Sequence, residues 1–245
     1  MADIVLLHPF PVDHTFWDEV APVLESAGHR VIAPDLPGFG ARPEEPGWTM
    51  DAEADRLADE VPTGATVVGL SMGGYLALAL LARRPQVVGA LVLADTRAEG
   101  EPPDGLEARR AAAEGLRTSG SGPFLEAFIP RAMWPGAAPA TLARLQQLAS
   151  AQSAGAMADA TMAIAGRTDH VALLPAIQVP ALVVVGEHDA VTPPAVATAM
   201  AASVRGARLA VMGEAGHMTA LEYPAEFADL VLSLTPGGQS DNACS

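Results

Sequence analysis

The sequence predicts an α/β architecture, a parallel sheet with helices on both faces, interrupted once by an all-helical stretch. Three observations lead there. Short unbroken apolar runs, such as Ile4 to Leu7 and Ala181 to Val185, read as strands covered on both sides. Segments with helical spacing alternate with them. Residues 97–175 break this rhythm, being alanine-rich with apolar residues at helical intervals and no strand signal.

Ile4 to Leu7 opens the sheet and ends in the loop His8-Pro9-Phe10-Pro11. Trp17 to Ala27 has helical spacing through Val20, Val23 and Leu24 and stops at Gly28. Arg30 to Ala33 is the next strand, followed by the turn Pro34-Asp35-Leu36-Pro37-Gly38-Phe39-Gly40. Asp51 to Val61 reads as a helix capped by Thr49 or Asp51. A strand over Thr66 to Val68 and a helix over Tyr75 to Arg83 follow, then a strand from Val87 to Ala94 ending at Asp95. Helices are expected over 105–118, 122–132, 139–151 and 153–166, separated by Gly120, Pro135-Gly136 and Gly155. Alternation resumes with Ala181 to Val185, a helix from Pro194 to Ser203, a strand Leu209 to Met212 and a closing helix Pro224 to Leu234. Residues 1–96 and 176–235 would form the core and 97–175 a helical cap at the carboxyl ends of the strands, where such sheets carry their sites. Residues 236–245 are polar and expected to be disordered.

The organising stretch is Gly69-Leu70-Ser71-Met72-Gly73, a Gly-x-Ser-x-Gly between a strand and a helix. A side chain lifted out of so sharp a turn needs small neighbours, because the backbone leaves no room for a Cβ. The same turn aims Ser71 and the first free N–H groups of the helix at one space, which suits an oxyanion.

Composition narrows the chemistry. All 14 basic residues are arginines, so Schiff-base, pyridoxal, Ser-Lys and P-loop mechanisms lack their lysine. A formal net charge of −15 argues against nucleic acid or an anionic membrane as partner. No metal-ligand spacing occurs, and neither a metal nor a cofactor is expected. There is no signal-peptide pattern or run long enough for a membrane span, and Cys244 is the only cysteine. A cytoplasmic protein acting on a small molecule is expected. Oligomeric state is left open.

Five segments in order resemble the α/β-hydrolase family, in particular its small cap-bearing esterases, lactonases and C–C hydrolases. They are His8-Pro9-Phe10-Pro11, Asp35 to Gly40, Gly69 to Gly74, Val185-Gly186-Glu187-His188-Asp189 and Gly216-His217-Met218. The resemblance covers nearly the whole chain and implies an α/β-hydrolase fold of about six parallel strands, since the hairpin that opens many relatives is missing here. It implies Ser71 as nucleophile, His217 as its base and Asp189 as the acid that orients the imidazole. Asp95 also ends a strand and is the alternative acid. It implies an oxyanion hole of two backbone N–H groups, Met72 and a residue of the first loop. The usual His-Gly is here His8-Pro9, and proline has no N–H, so Phe10 becomes the donor. His8 is expected to hold the loop.

The leading expectation is a serine hydrolase of a small ester or lactone. A C–C hydrolase, a thioesterase, a perhydrolase, a lyase or a non-catalytic receptor could share the site. Phe124, Phe128, Met133, Trp134, Met157 and Met162 are the candidate pocket residues in the cap. Arg131 is the one cation near them, so a compact, largely apolar substrate, neutral or singly charged, is expected.

Overall fold

Six parallel strands make one sheet in the computed structural model, which describes residues 1–235. The expectation for 236–245 lies outside the described residues. In chain order the elements are β1 (Asp3–Leu7), α1 (Ala21–Ser26), β2 (Arg30–Ile32), α2 (Met50–Glu60), β3 (Ala65–Leu70), α3 (Met72–Arg83) and β4 (Val88–Ala94). Four helices follow without a strand: α4 (Pro103–Ser119), α5 (Gly122–Ala132), α6 (Pro139–Ser150) and α7 (Ala154–Ala165). Then come β5 (Ala181–Gly186), α8 (Pro194–Ser203), β6 (Arg208–Met212), α9 (Thr219–Glu222) and α10 (Pro224–Leu232).

The spatial order is β2-β1-β3-β4-β5-β6. From β1 the chain steps one way to β2, then crosses back and proceeds the other way from β3 to β6. Right-handed crossovers therefore put α1 on one face and α2, α3 and α8 on the other. The packing agrees, since α1 meets α10 while α2 lies against α3. The reversal falls between β1 and β3, where a crevice opens at the carboxyl ends of the strands. Leu7 is paired with Gly69, so the His8–Phe10 loop and Ser71 leave the sheet side by side.

The central strands are apolar because both faces are covered: every residue of β3 and β5 is buried. Helix α3 is buried from Met72 to Leu81, which explains a sequence with almost no polar side. Thr49 accepts a hydrogen bond from the Ala52 N–H (3.1 Å) and caps α2, while Ser153 does the same for α7 through Ala156 (2.9 Å). Where the sequence suggests one helix over Trp17 to Ala27, there is a 3-10 turn at His14–Trp17 and a separate α1 beginning at Ala21. Pro22 accounts for the break, since a proline fits in the first turn of a helix and not in its interior.

Candidate active site

Ser71 sits between β3 and α3 with φ 53° and ψ −110°, a conformation that non-glycine residues rarely adopt. The turn is held from three sides. The Ser71 N–H donates to the Ala94 carbonyl (2.9 Å), and its own carbonyl accepts from the Gly74 N–H (2.9 Å) and the Thr96 hydroxyl (2.8 Å). Both flanking glycines are sterically required. A Cβ on Gly69 would collide with the Gly73 carbonyl, and one on Gly73 with the Leu7 carbonyl.

Asp189 lies past the end of β5 and His217 in the loop after β6. These loops approach closely because Gly186 and Gly216 touch, and a Cβ on Gly186 would overlap the Gly216 carbonyl. His217 is fully buried; its Nε2 is 2.9 Å from Ser71 Oγ and its Nδ1 2.8 Å from Asp189 Oδ2. An ionised carboxylate only accepts, so Nδ1 carries the proton and Nε2 presents its lone pair to the serine hydroxyl. Asp189 is itself fixed: Oδ1 accepts from the N–H groups of Val191 (2.7 Å) and Thr192 (2.8 Å), and Oδ2 from the Thr192 hydroxyl (2.7 Å). Burial works against its charge. The adjacent His217 and these hydrogen bonds outweigh burial and hold the carboxyl below its ordinary value.

Asp95, the alternative acid, is placed differently. It is fully buried, accepts from the Gly186 N–H (3.0 Å) and the Thr219 hydroxyl, and does not reach the imidazole. Burial, reinforced by the charge of Asp189, pushes its carboxyl well above the ordinary range. Its bonds tie β4 to the ends of the Asp189 and His217 loops.

The N–H groups of Phe10 and Met72 make no hydrogen bond among the described residues, which leaves both available to an oxyanion. His8 holds the first of these loops. Its Nε2 accepts from the Leu36 N–H (3.0 Å), so the proton is on Nδ1, which donates to the Pro9 carbonyl (3.0 Å). Burial lowers its pKa and keeps it neutral.

A cavity of about 380 Å³ adjoins this constellation, lined by Phe10 and Thr192 and roofed in part by Phe124 and Phe128. Phe124 and Phe128 stack on one another, and Phe10 meets both edge-on at 5.6 and 6.2 Å. The other four expected pocket residues are elsewhere. Met133 and Trp134 line a separate cavity of about 730 Å³ against α5 and α6; Ser71, Asp189 and His217 line neither cavity, and only the smaller one includes their neighbours Phe10 and Thr192. The Trp134 ring stacks on His188, while its backbone N–H donates to Glu222 (3.0 Å). Met157 is fully buried and Met162 packs against the core, both on α7, which lies along α4 and uses its apolar residues for that contact.

Arginines line the cavity in a way linear spacing conceals. Arg97, Arg109 and Arg167 join Arg131 there, opposite a single carboxylate, Glu101. Burial disfavours the charged form of Glu101, yet the Arg167 hydrogen bond and the charges of Arg109 and Arg167 keep its carboxyl below the ordinary value. Thr192, which braces Asp189, was also absent from the sequence-based candidates; no motif marks it.

The alpha/beta hydrolase family model matches residues 4–230. The chain belongs to that family. Among curated relatives of this α/β hydrolase, a pimeloyl-[acyl-carrier protein] methyl ester esterase of Neisseria meningitidis is 32% identical over 241 residues, 96% of this chain and 93% of the relative. A thermophilic esterase from Thermogutta terrifontis, solved with malate bound, superposes with a TM-score of 0.90 at 34% identity, over 94% of this chain and 88% of that one. The enol-lactonase from Burkholderia xenovorans LB400 gives 0.85 at 27%, over 95% and 90%.

Proposed function

We propose that this α/β hydrolase is a serine hydrolase that cleaves a small carboxylic ester or lactone through an acyl-enzyme. The observation that carries the reading is the buried chain Asp189–His217–Ser71, with contacts of 2.8 and 2.9 Å, ending on a serine held at positive φ. In the first half-reaction Ser71 Oγ attacks the carbonyl carbon while its proton passes to His217 Nε2. The oxygen takes the negative charge and is met by the Phe10 and Met72 N–H groups. Collapse breaks the ester bond, and the imidazolium returns its proton to the departing alcohol. Water repeats the sequence on the acyl-enzyme, releasing a carboxylic acid and restoring Ser71. Asp189 keeps the imidazole in the working tautomer and stabilises its charged form. The esterase and enol-lactonase relatives support ester or lactone cleavage, and a 2-hydroxymuconate semialdehyde hydrolase of Pseudomonas, also 32% identical, supports C–C cleavage as the second reading.

The test is Ser71→Ala assayed with 4-nitrophenyl acetate and butyrate, with labelling of the unaltered enzyme by a fluorophosphonate. The expected loss in kcat is at least ~10³-fold, with one adduct on Ser71. Activity within tenfold of the unaltered enzyme removes Ser71 from the mechanism.

A further inference from the structure

The cavity beside the triad is electrically unlike the rest of the chain. Acidic residues outnumber arginines 29 to 14 overall. In the cavity wall the ratio inverts, with four arginines and one glutamate. Glu101 is already engaged, by Arg109 at 3.1 Å and Arg167 at 2.6 Å. Arg167 is engaged as well. It donates to the carbonyls of Glu99 and Ile164, lies over the Tyr75 ring at 4.5 Å from its centroid, and is buried in the wall.

Arg97 and Arg131 are different. Arg97 is half-buried and its Nη2 donates to the carbonyl of Val191 (3.0 Å), next to Thr192, with no carboxylate partner among the described residues. Arg131, in the last turn of α5, makes no hydrogen bond or ion pair among the described residues. A guanidinium has five N–H donors, so most of theirs are unused. A helix C-terminus explains an exposed Arg131 by itself. It does not explain a half-buried Arg97 lining the same cavity with no carboxylate partner among the described residues. The lining also carries an apolar cluster, Phe10, Phe124 and Phe128, the last two on the same helix as Arg131. The cavity thus offers apolar surface to a short hydrocarbon chain and guanidinium groups to an anion. Its volume of about 380 Å³ is at the small end of ligand pockets, which run from roughly 300 to 1,000 Å³.

We propose that this cavity recognises a carboxylate on the substrate: the acyl part cleaved at Ser71 ends, a few methylenes away, in a free carboxylate paired with Arg97 and Arg131. The proposal rests on the serine hydrolase reading and narrows it to half-esters of short dicarboxylic acids, or lactones bearing a carboxylate. A charge clamp on the acyl part serves both half-reactions, because that part stays in place after the alcohol leaves. In a chain this acidic the local positive charge also counters long-range repulsion of an anionic substrate.

The experiment compares mono-4-nitrophenyl adipate with 4-nitrophenyl hexanoate, which share six acyl carbons and differ by the terminal carboxylate. The enzyme is expected to favour the adipate by about 10- to 100-fold in kcat/KM, the range of one charge-assisted hydrogen-bonded pair, and to lose part of that preference in 0.5 M salt. In Arg97→Gln/Arg131→Gln the ratio collapses toward one, and Arg97→Lys/Arg131→Lys restores part of it. Equal or better use of the hexanoate by the unaltered enzyme overturns the proposal, as does a preference that survives the double glutamine change. Calorimetric titration of Ser71→Ala protein with monomethyl adipate and with methyl hexanoate separates this from the parent reading. Monomethyl adipate binding that needs both arginines, with neither 4-nitrophenyl ester turned over by the unaltered enzyme, sinks the hydrolase reading and keeps the carboxylate site. Turnover of both esters with no advantage for adipate does the reverse.

Discussion

Replacing Asp189 by Asn removes one charge and, because of how the side chain is held, moves a proton to the wrong imidazole nitrogen. Two backbone N–H groups, from Val191 and Thr192, point at Oδ1. In the amide the carbonyl oxygen must stay there, since an NH₂ group facing two donors would leave them unpaired. The NH₂ group then takes the place of Oδ2, 2.8 Å from His217 Nδ1, and donates to it. The imidazole is driven to the tautomer with its proton on Nε2, facing Ser71, where it can no longer accept the hydroxyl proton. The expected loss in kcat is on the order of 10²–10⁴-fold, or about 3–5 kcal/mol of barrier. Asp95→Asn is the matched control: it removes a neighbouring buried carboxyl that bonds to Gly186 and Thr219 and not to the imidazole. Turnover of 4-nitrophenyl butyrate near neutral pH, with thermal melts to show that both proteins are folded, reads the difference. A loss below tenfold for Asp189→Asn, or a larger loss for Asp95→Asn, would refute the assignment of the acid.

Asp95 has its own pH signature. Its folded-state pKa is raised by burial and by Asp189, so the folded chain holds this proton more tightly than the unfolded chain does. Its contribution to stability is therefore full at low pH and declines as pH rises toward the folded value. Urea midpoints from pH 5 to 9 should show unaltered protein losing ground to Asp95→Asn as pH increases; parallel curves would contradict the raised value. His8→Ala leaves the Leu36 N–H without its buried acceptor and frees the Pro9 carbonyl, for an expected loss of ~1–3 kcal/mol in denaturant-derived stability. Because the loop it holds carries Phe10, kcat should fall more than KM rises; unchanged kinetics would make His8 a purely structural group.

Much of the fold was readable because its signals are local. An unbroken apolar run marks a strand covered on both faces, and each of the six lies within a few residues of its expected place. Gly-x-Ser-x-Gly was equally plain, since the collisions that demand Gly69 and Gly73 involve residues of the turn and the neighbouring strand. The pocket was not readable, for the opposite reason. Phe124 and Phe128 were recoverable from helical spacing, but the same spacing also selected Met133 and Trp134, which face the other cavity. The cationic side draws on Arg97, Arg109, Arg131 and Arg167, residues spread over four separate segments that no periodicity connects. One clue was present: Arg97 stands just past the end of β4, and strand ends are where sites gather in such sheets.

The C-terminal end of α5 is fastened to the loop that carries the imidazole. The His217 N–H donates to the Ala132 carbonyl (2.9 Å), and the carboxylate of Glu222 receives the N–H groups of Gly216 (2.9 Å) and Trp134 (3.0 Å) together. Gly216 has no room for a Cβ against the Met133–Trp134 backbone. A roof bolted at that point cannot swing up as a hinged lid without dragging His217 off Ser71. Admission of substrate then falls to side chains, with Phe124, Phe128, Arg97 and Arg131 turning aside as a curtain while the frame above them stays put.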